Sequence, residues 1–142
     1  MNLLESRPVV FTAQSRHLYY ARMLVCQHAI EQGAVPLNPF NAFGYFLHDL
    51  VPRDDVRCCN NNVLARCDAL WVYGPIADGV WAEILYALQL GKPLRFFAAG
   101  PHHADFTELS VDSLTFEEGV PAGLDRAEAL TSLRHHLGVE GA

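Results

Sequence analysis

Apolar residues concentrate in four short runs, Pro8 to Ala13, Ala34 to Leu37, Ala69 to Tyr73 and Leu94 to Ala98. Runs of this length, bounded by Gly, Pro or polar positions, predict buried strands. Between them the period changes. From Arg16 to about Gln32 the positions Leu18, Ala21, Leu24, Val25 and Ala29 recur at helical spacing, with Ser15 placed to cap the start and Gly33 to end it. Asp54 and Asp55 open a helix that runs through Arg66, their charges matching the positive end of its dipole. A further helix spans Asp78 to Leu90. Phe40 to Leu50 reads as a short helix or ordered loop, Phe106 to Phe116 as the place of a fifth short strand, and Asp125 to Leu137 as a closing helix.

Strands alternating with helices need crossover connections, so the pattern predicts an α/β fold with a parallel sheet and helices on both faces, of the flavodoxin-like or Rossmann-like kind. Such sheets bind ligands at the carboxyl ends of their strands. Here those ends are Ala13 to Arg16, Asn38 to Phe40, Gly74 to Gly79 and Ala99 to His102. No G-x-G-x-x-G or P-loop sequence follows any of them, which disfavours a dinucleotide enzyme or a P-loop NTPase.

With 142 residues, 51% of them hydrophobic and 18% charged, the chain has the profile of a single domain, residues 1–142, that buries a real core. No run approaches the roughly 18 apolar residues of a membrane span. Glu5 and Arg7 beside Pro8 lack the order of a signal peptide, so the expected compartment is the cytoplasm, without a membrane partner. A net charge of −6 with ten scattered Lys and Arg disfavours a nucleic-acid polymer. A small anion is still compatible, because a few backbone N–H groups and one Arg suffice to hold a phosphate. Cys26, Cys58, Cys59 and Cys67 lack C-x-x-C spacing and are expected to be reduced and mostly buried. Neither they nor His102-His103 and His135-His136 point to a metal, and no cofactor is expected.

The block Cys67-Asp68-Ala69-Leu70-Trp71-Val72-Tyr73-Gly74, then Asp78-Gly79 with Glu83 and Ala87 behind it, then Gly91-Lys92-Pro93, is the most distinctive stretch. Together with F-T-A-Q-S-R at Phe11 to Arg16 and A-I-E-Q-G-A-V-P-L-N-P at Ala29 to Pro39, it resembles the nucleoside 2-deoxyribosyltransferase superfamily, and more closely an uncharacterised bacterial and phage branch of it. The similarity runs from about Val9 to Phe97. It implies N-glycosidic chemistry in which Glu83 attacks the anomeric carbon, expels the base and holds the sugar as an ester until water or a second base takes it. A carboxylate in the opening turns of a helix is expected to be held ionised by the dipole, as a nucleophile must be. Gly79 and Ala87 match small residues four before and four after the nucleophile.

Other positions depart from the family. Val80 and Leu85 stand where many active members have Thr and Gly, and Val10 or Phe11 stands where a first-strand tyrosine orients the nucleophile, a role open to Tyr19 or Tyr45. Asn60 takes the place of an aspartate that assists at the leaving base; it can hydrogen-bond a base but cannot protonate one. Asp78 is a candidate ligand of a sugar hydroxyl or of the loop, beside Gly79. Ser15 and Arg16 follow the first strand, where nucleotide hydrolases of the superfamily hold a phosphate; Arg16 is otherwise a surface residue near a helix start. Asp68, Trp71 and Tyr73 read first as strand-start and core residues, and Trp81 as a base-stacking or interface residue.

The resulting expectation is a nucleoside or nucleotide N-glycosidase or 2-deoxyribosyltransferase built on Glu83. The alternative is a non-catalytic Rossmann-like module that binds a nucleotide or sugar phosphate. The resemblance also implies a homodimer or higher homo-oligomer, for which the aromatic stretch Phe40, Phe43, Tyr45 and Phe46 would suit an interface, a pocket or the core.

Overall fold

A computed structural model describes residues 1–44, 47, 49–121 and 125–138. Tyr45 and Phe46 of the aromatic stretch lie outside the described residues. Five strands form one sheet: β1 (Val9–Gln14), β2 (Val35–Leu37), β3 (Ala69–Tyr73), β4 (Leu94–Ala98) and β5 (Thr107–Leu109), in the order β2-β1-β3-β4-β5. The first four run parallel, with Phe11 paired to Leu37 and Leu70, and Val72 to Phe96. The fifth strand is present within Phe106 to Phe116 but runs antiparallel to β4, because only the short His103–Asp105 turn separates the two and no crossover helix fits there.

The helices are α1 (Arg22–Glu31), α2 (Pro39–Phe43), α3 (Arg53–Ala65), α4 (Asp78–Gln89) and α5 (Arg126–His136). They cover both faces, and the strands are accordingly apolar on both sides. Phe11, Ala13, Leu70, Val72 and Phe96 pack with α3, α4 and α5 through Leu64, Ile84, Ala87, Ala129 and Leu133. Val10, Trp71, Tyr73 and Phe97 face the other way, onto Val25 and Ala29 of α1. A fully buried side chain of this size contributes about 1.5–3 kcal/mol, so this two-sided core fixes the sheet register and with it the carboxyl edge. Among the described residues no helix is long and apolar enough to cross a membrane.

Four expectations need correction. Arg16 to Gln32 is not one helix: Arg16–Ala21 is a 3-10 helix, kinked at Leu18 (φ −104°, ψ 18°), and α1 begins only at Arg22. The Gln14 side chain donates to the Leu18 carbonyl at 2.6 Å and competes with helical pairing there. Three of the four cysteines are not buried: Cys58 and Cys59 are exposed and Cys26 intermediate, with Cys67 alone in the core. Trp81 neither stacks in a binding site nor lies at the surface; it is buried edge-on against Phe116. The fourth correction concerns the ionisation of Glu83.

Candidate functional site

The chain leaves β1 toward β2 on one side and later returns to build β3 on the other, so the carboxyl ends of β1 and β3 form the switch point of the sheet. Gln14 and Tyr73 are paired there. Gly74 follows with φ +75°, a conformation that favours glycine, and its open side lies against the end of the Leu18 side chain. This lets the loop after β3 lie close to the turn after β1 and brings Ser15, Arg16, Asp78 and Gly79 to one edge.

Below that edge, α3 and α4 run side by side on one face of the sheet. Glu83 is the sixth residue of α4, roughly 7–8 Å beyond its start. It lies past the first turn, where the dipole acts most strongly, and that position belongs to Asp78. The side of α4 that bears Glu83 is near α3, whose Arg57 is the charge felt by the carboxyl. Although the residue keeps partial exposure, Oε2 is shut off from solvent and has no hydrogen-bond partner among the described residues. Burial drives the carboxyl from its ordinary 4.5 up to about 8, with Arg57 pulling more weakly the other way. Glu83 is therefore protonated at neutral pH, contrary to the expectation that the helix dipole keeps it ionised. Oδ1 of Asn60 on α3 is likewise buried without a partner among the described residues. Two unsatisfied buried acceptors on neighbouring helices are costly, and groups of this kind are where a donor from a ligand or water is accommodated.

Asp78 is exposed at the first position of α4, and a Cβ added at Gly79 would meet nothing within 4 Å. Glycine there answers no need of the chain's own packing. Ser15 is buried and caps the 3-10 helix as expected, its Oγ accepting from the His17 amide at 3.2 Å. That hydroxyl donates to Glu117 Oε2 at 2.5 Å, and His17 Nδ1 lies 2.9 Å from the same oxygen. Arg16 is exposed, and its charge acts on Glu117. The structure thus brings Ser15 and Arg16 together around a carboxylate from the C-terminal segment. Asp68 is at the opposite, amino edge, where its Oδ2 accepts from the Val9 amide at 2.8 Å. Tyr19 packs edge-on to Phe40 with Arg22 over its ring, and Tyr45 lies outside the described residues. Among the described residues no group of three or more His, Cys, Asp or Glu could hold a metal ion.

Sequence reasoning missed Arg57, His17 and Glu117. Arg57 carried a usable signal, since it precedes Asn60 by three and shares its helix face. Glu117 carried none: it reaches the site only because Thr115 to Glu117 runs beside the loop after β3, with Ile76 N donating to Thr115 O and Glu117 N to Ile76 O, both at 2.9 Å.

Fold and edge together define a single-domain, doubly wound α/β protein with an unsatisfied buried carboxyl on the helix that leaves its switch point. Residues 12–97, more than half of the chain, match the family model described as a domain of unknown function, DUF7768, and the chain belongs to that family. None of the curated proteins matches it.

Proposed function

We propose that this protein is a nucleoside or nucleotide N-glycosidase or 2-deoxyribosyltransferase that works through Glu83. The observation that carries the reading is the carboxyl itself, buried on the helix that follows β3 and without a partner among the described residues, where packing alone would favour an apolar residue. Open space at Gly79 supports it by leaving the start of α4 accessible to a ligand. In the first step Glu83 has lost its proton to solvent and Arg57 steadies the anion. One carboxylate oxygen bonds to the anomeric carbon as the C–N bond breaks, and the base leaves with the electron pair and takes a proton from solvent. Water or a second base then attacks the same carbon and gives up a proton to solvent, while the ester C–O bond breaks and its electron pair returns to Glu83 as carboxylate. Asn60 offers hydrogen bonds to the base but no proton. No cofactor enters this scheme, and it fits a cytoplasmic protein acting as a homodimer or larger homo-oligomer on small molecules.

One observation favours the second reading, a non-catalytic module that binds a nucleotide or sugar phosphate: at neutral pH Glu83 is a neutral acid rather than a nucleophile. The deciding experiment incubates the protein with ribo- and deoxyribonucleosides and their 5′-monophosphates, with and without a second free base, and follows base release by chromatography. Release or exchange that Glu83→Gln abolishes is the expected result. Ligand-induced thermal stabilisation with no release from any substrate selects the binding module instead.

A further inference from the structure

The cluster of Ser15, His17 and Glu117 plays no part in the chemistry assigned to Glu83. It is not a nucleophile with its base. Ser15 is 1% exposed, and its hydroxyl points to Glu117 rather than through the imidazole. The one ring nitrogen Nδ1 of His17 faces both Ser15, at 3.4 Å, and Glu117, so no relay from serine through histidine to carboxylate exists.

What the cluster does is fix a negative charge at the end of β1. Glu117 is held from several directions: its amide donates to Ile76 O, Arg126 Nη2 donates to its carbonyl at 3.0 Å, and Oε2 takes the hydroxyl and the imidazole. Burial pushes its carboxyl up, but the hydrogen bonds from Ser15 and His17 and the charges of His17 and Arg16 outweigh this and hold it below its ordinary range. Oε1 accepts no hydrogen bond from the described residues.

We propose that Glu117 is a specificity-determining residue that sets the charge of the ligand at this edge, accepting a hydroxyl at Oε1 and excluding a phosphate. The proposal rests on the nucleoside reading above and narrows it to unphosphorylated nucleosides. The Ser15 hydroxyl, a donor a phosphate would use, is already committed to Glu117, and the Arg16 charge is felt by the same carboxylate. A phosphomonoester would bring a charge of about −1.5 to −2 against a fixed carboxylate. A sugar hydroxyl needs only an acceptor, which Oε1 supplies.

The test is calorimetric titration of wild-type protein and Glu117→Gln with a panel of nucleosides and their 5′-monophosphates, with inorganic phosphate as a separate thermal-shift probe. Glutamine keeps an acceptor for Ser15 and removes the charge. Wild type is expected to bind nucleosides at least tenfold more tightly than monophosphates. In the variant that ratio moves at least tenfold toward the monophosphate, and inorganic phosphate raises its Tm but not that of wild type. A wild-type preference for monophosphates, a ratio unmoved by the substitution, or no binding of either ligand to either protein overturns the proposal. Base release is read separately: binding in the expected order without any release sinks the glycosidase reading and leaves the assignment of Glu117 intact.

Discussion

Replacing Glu83 by glutamine exchanges a buried acid for a neutral side chain of the same shape, and the effect on stability depends on pH in a way that an ordinary packing defect would not. In the folded protein the carboxyl keeps its proton up to about 8, whereas the unfolded chain releases it near the ordinary 4.5. Between those values the folded state binds more protons, so stability falls as pH rises, by about 1.4 kcal/mol per pH unit. Stability contributed by the protonated group is fully present below 4.5 and is lost once pH has passed through about 8. The glutamine variant has no such loss. Measured by urea unfolding, the two proteins should be nearly equal at pH 4.5, with the variant ahead by about 3 kcal/mol at pH 7 and by as much as about 5 at pH 8.5. A domain of this size has only about 5–15 kcal/mol in all, so the difference is well within reach of the assay. A stability difference that stays constant from pH 4.5 to 8.5 would refute the burial argument, and one that favours wild type at high pH would show that Glu83 is ionised and partnered in the fold.

The same ionisation governs turnover: kcat/KM for base release, which reports the free enzyme, should rise with pH through a single limb near 8, since only the ionised carboxyl attacks, and a kcat/KM flat from pH 6 to 9 would refute a free carboxyl held protonated and acting as the nucleophile. Gly79→Ala should fold normally, gaining up to about 1 kcal/mol from helix propensity because its Cβ meets nothing, yet lose tenfold or more in kcat/KM if substrate passes over the start of α4; unchanged kinetics would move the substrate elsewhere. Gly74→Ala should cost about 1–2 kcal/mol in urea unfolding from its positive φ, the end of Leu18 turning aside, and a near-neutral result would mean that the loop after β3 does not hold residue 74 in the left-handed region.

Much of the fold was legible because its signals are local. Ala69–Tyr73 and Leu94–Ala98 are strands with the bounds their apolar runs indicate, and Asp78–Gln89 is a helix to within a residue. Parallel order followed from alternation alone, since strands successive in the chain are joined through helices until β5. What failed was set by tertiary contacts. Leu18 looks like one more position of a helical stripe, but its side chain is pressed against Gly74 and its carbonyl is taken by Gln14, and neither partner lies on that helix. Trp81, near a glycine, reads as accessible, whereas it is buried in the core cluster that the tail joins through Phe116. The site was legible in parts for the same reason. Ser15 was identified as a cap from its own position, whereas its second partner, Glu117, is 102 residues away.

The ionisation of Glu83 shows how one helical turn decides chemistry. A carboxyl at the position of Asp78 is exposed, close to the unpaired N–H groups of α4, and stabilised as an anion by the dipole. Five residues further on, the local N–H groups are paired within the helix, and the charge the buried side chain feels is Arg57 of α3. Desolvation then outweighs both dipole and Arg57, and the carboxyl keeps its proton at neutral pH. For the nucleophilic reading this makes the ligand part of the machinery. A sugar whose hydroxyls donate to Glu83 Oε2 and Asn60 Oδ1 would satisfy both buried acceptors, favour the anion and lower the pH at which the carboxyl can attack. An inert carbocyclic nucleoside analogue should therefore lower the Glu83 pKa measured by carbon-13 NMR of the labelled carboxyl. If saturation with the analogue leaves that pKa at about 8, the two orphan oxygens do not read the sugar and the case for catalysis at neutral pH falls with them.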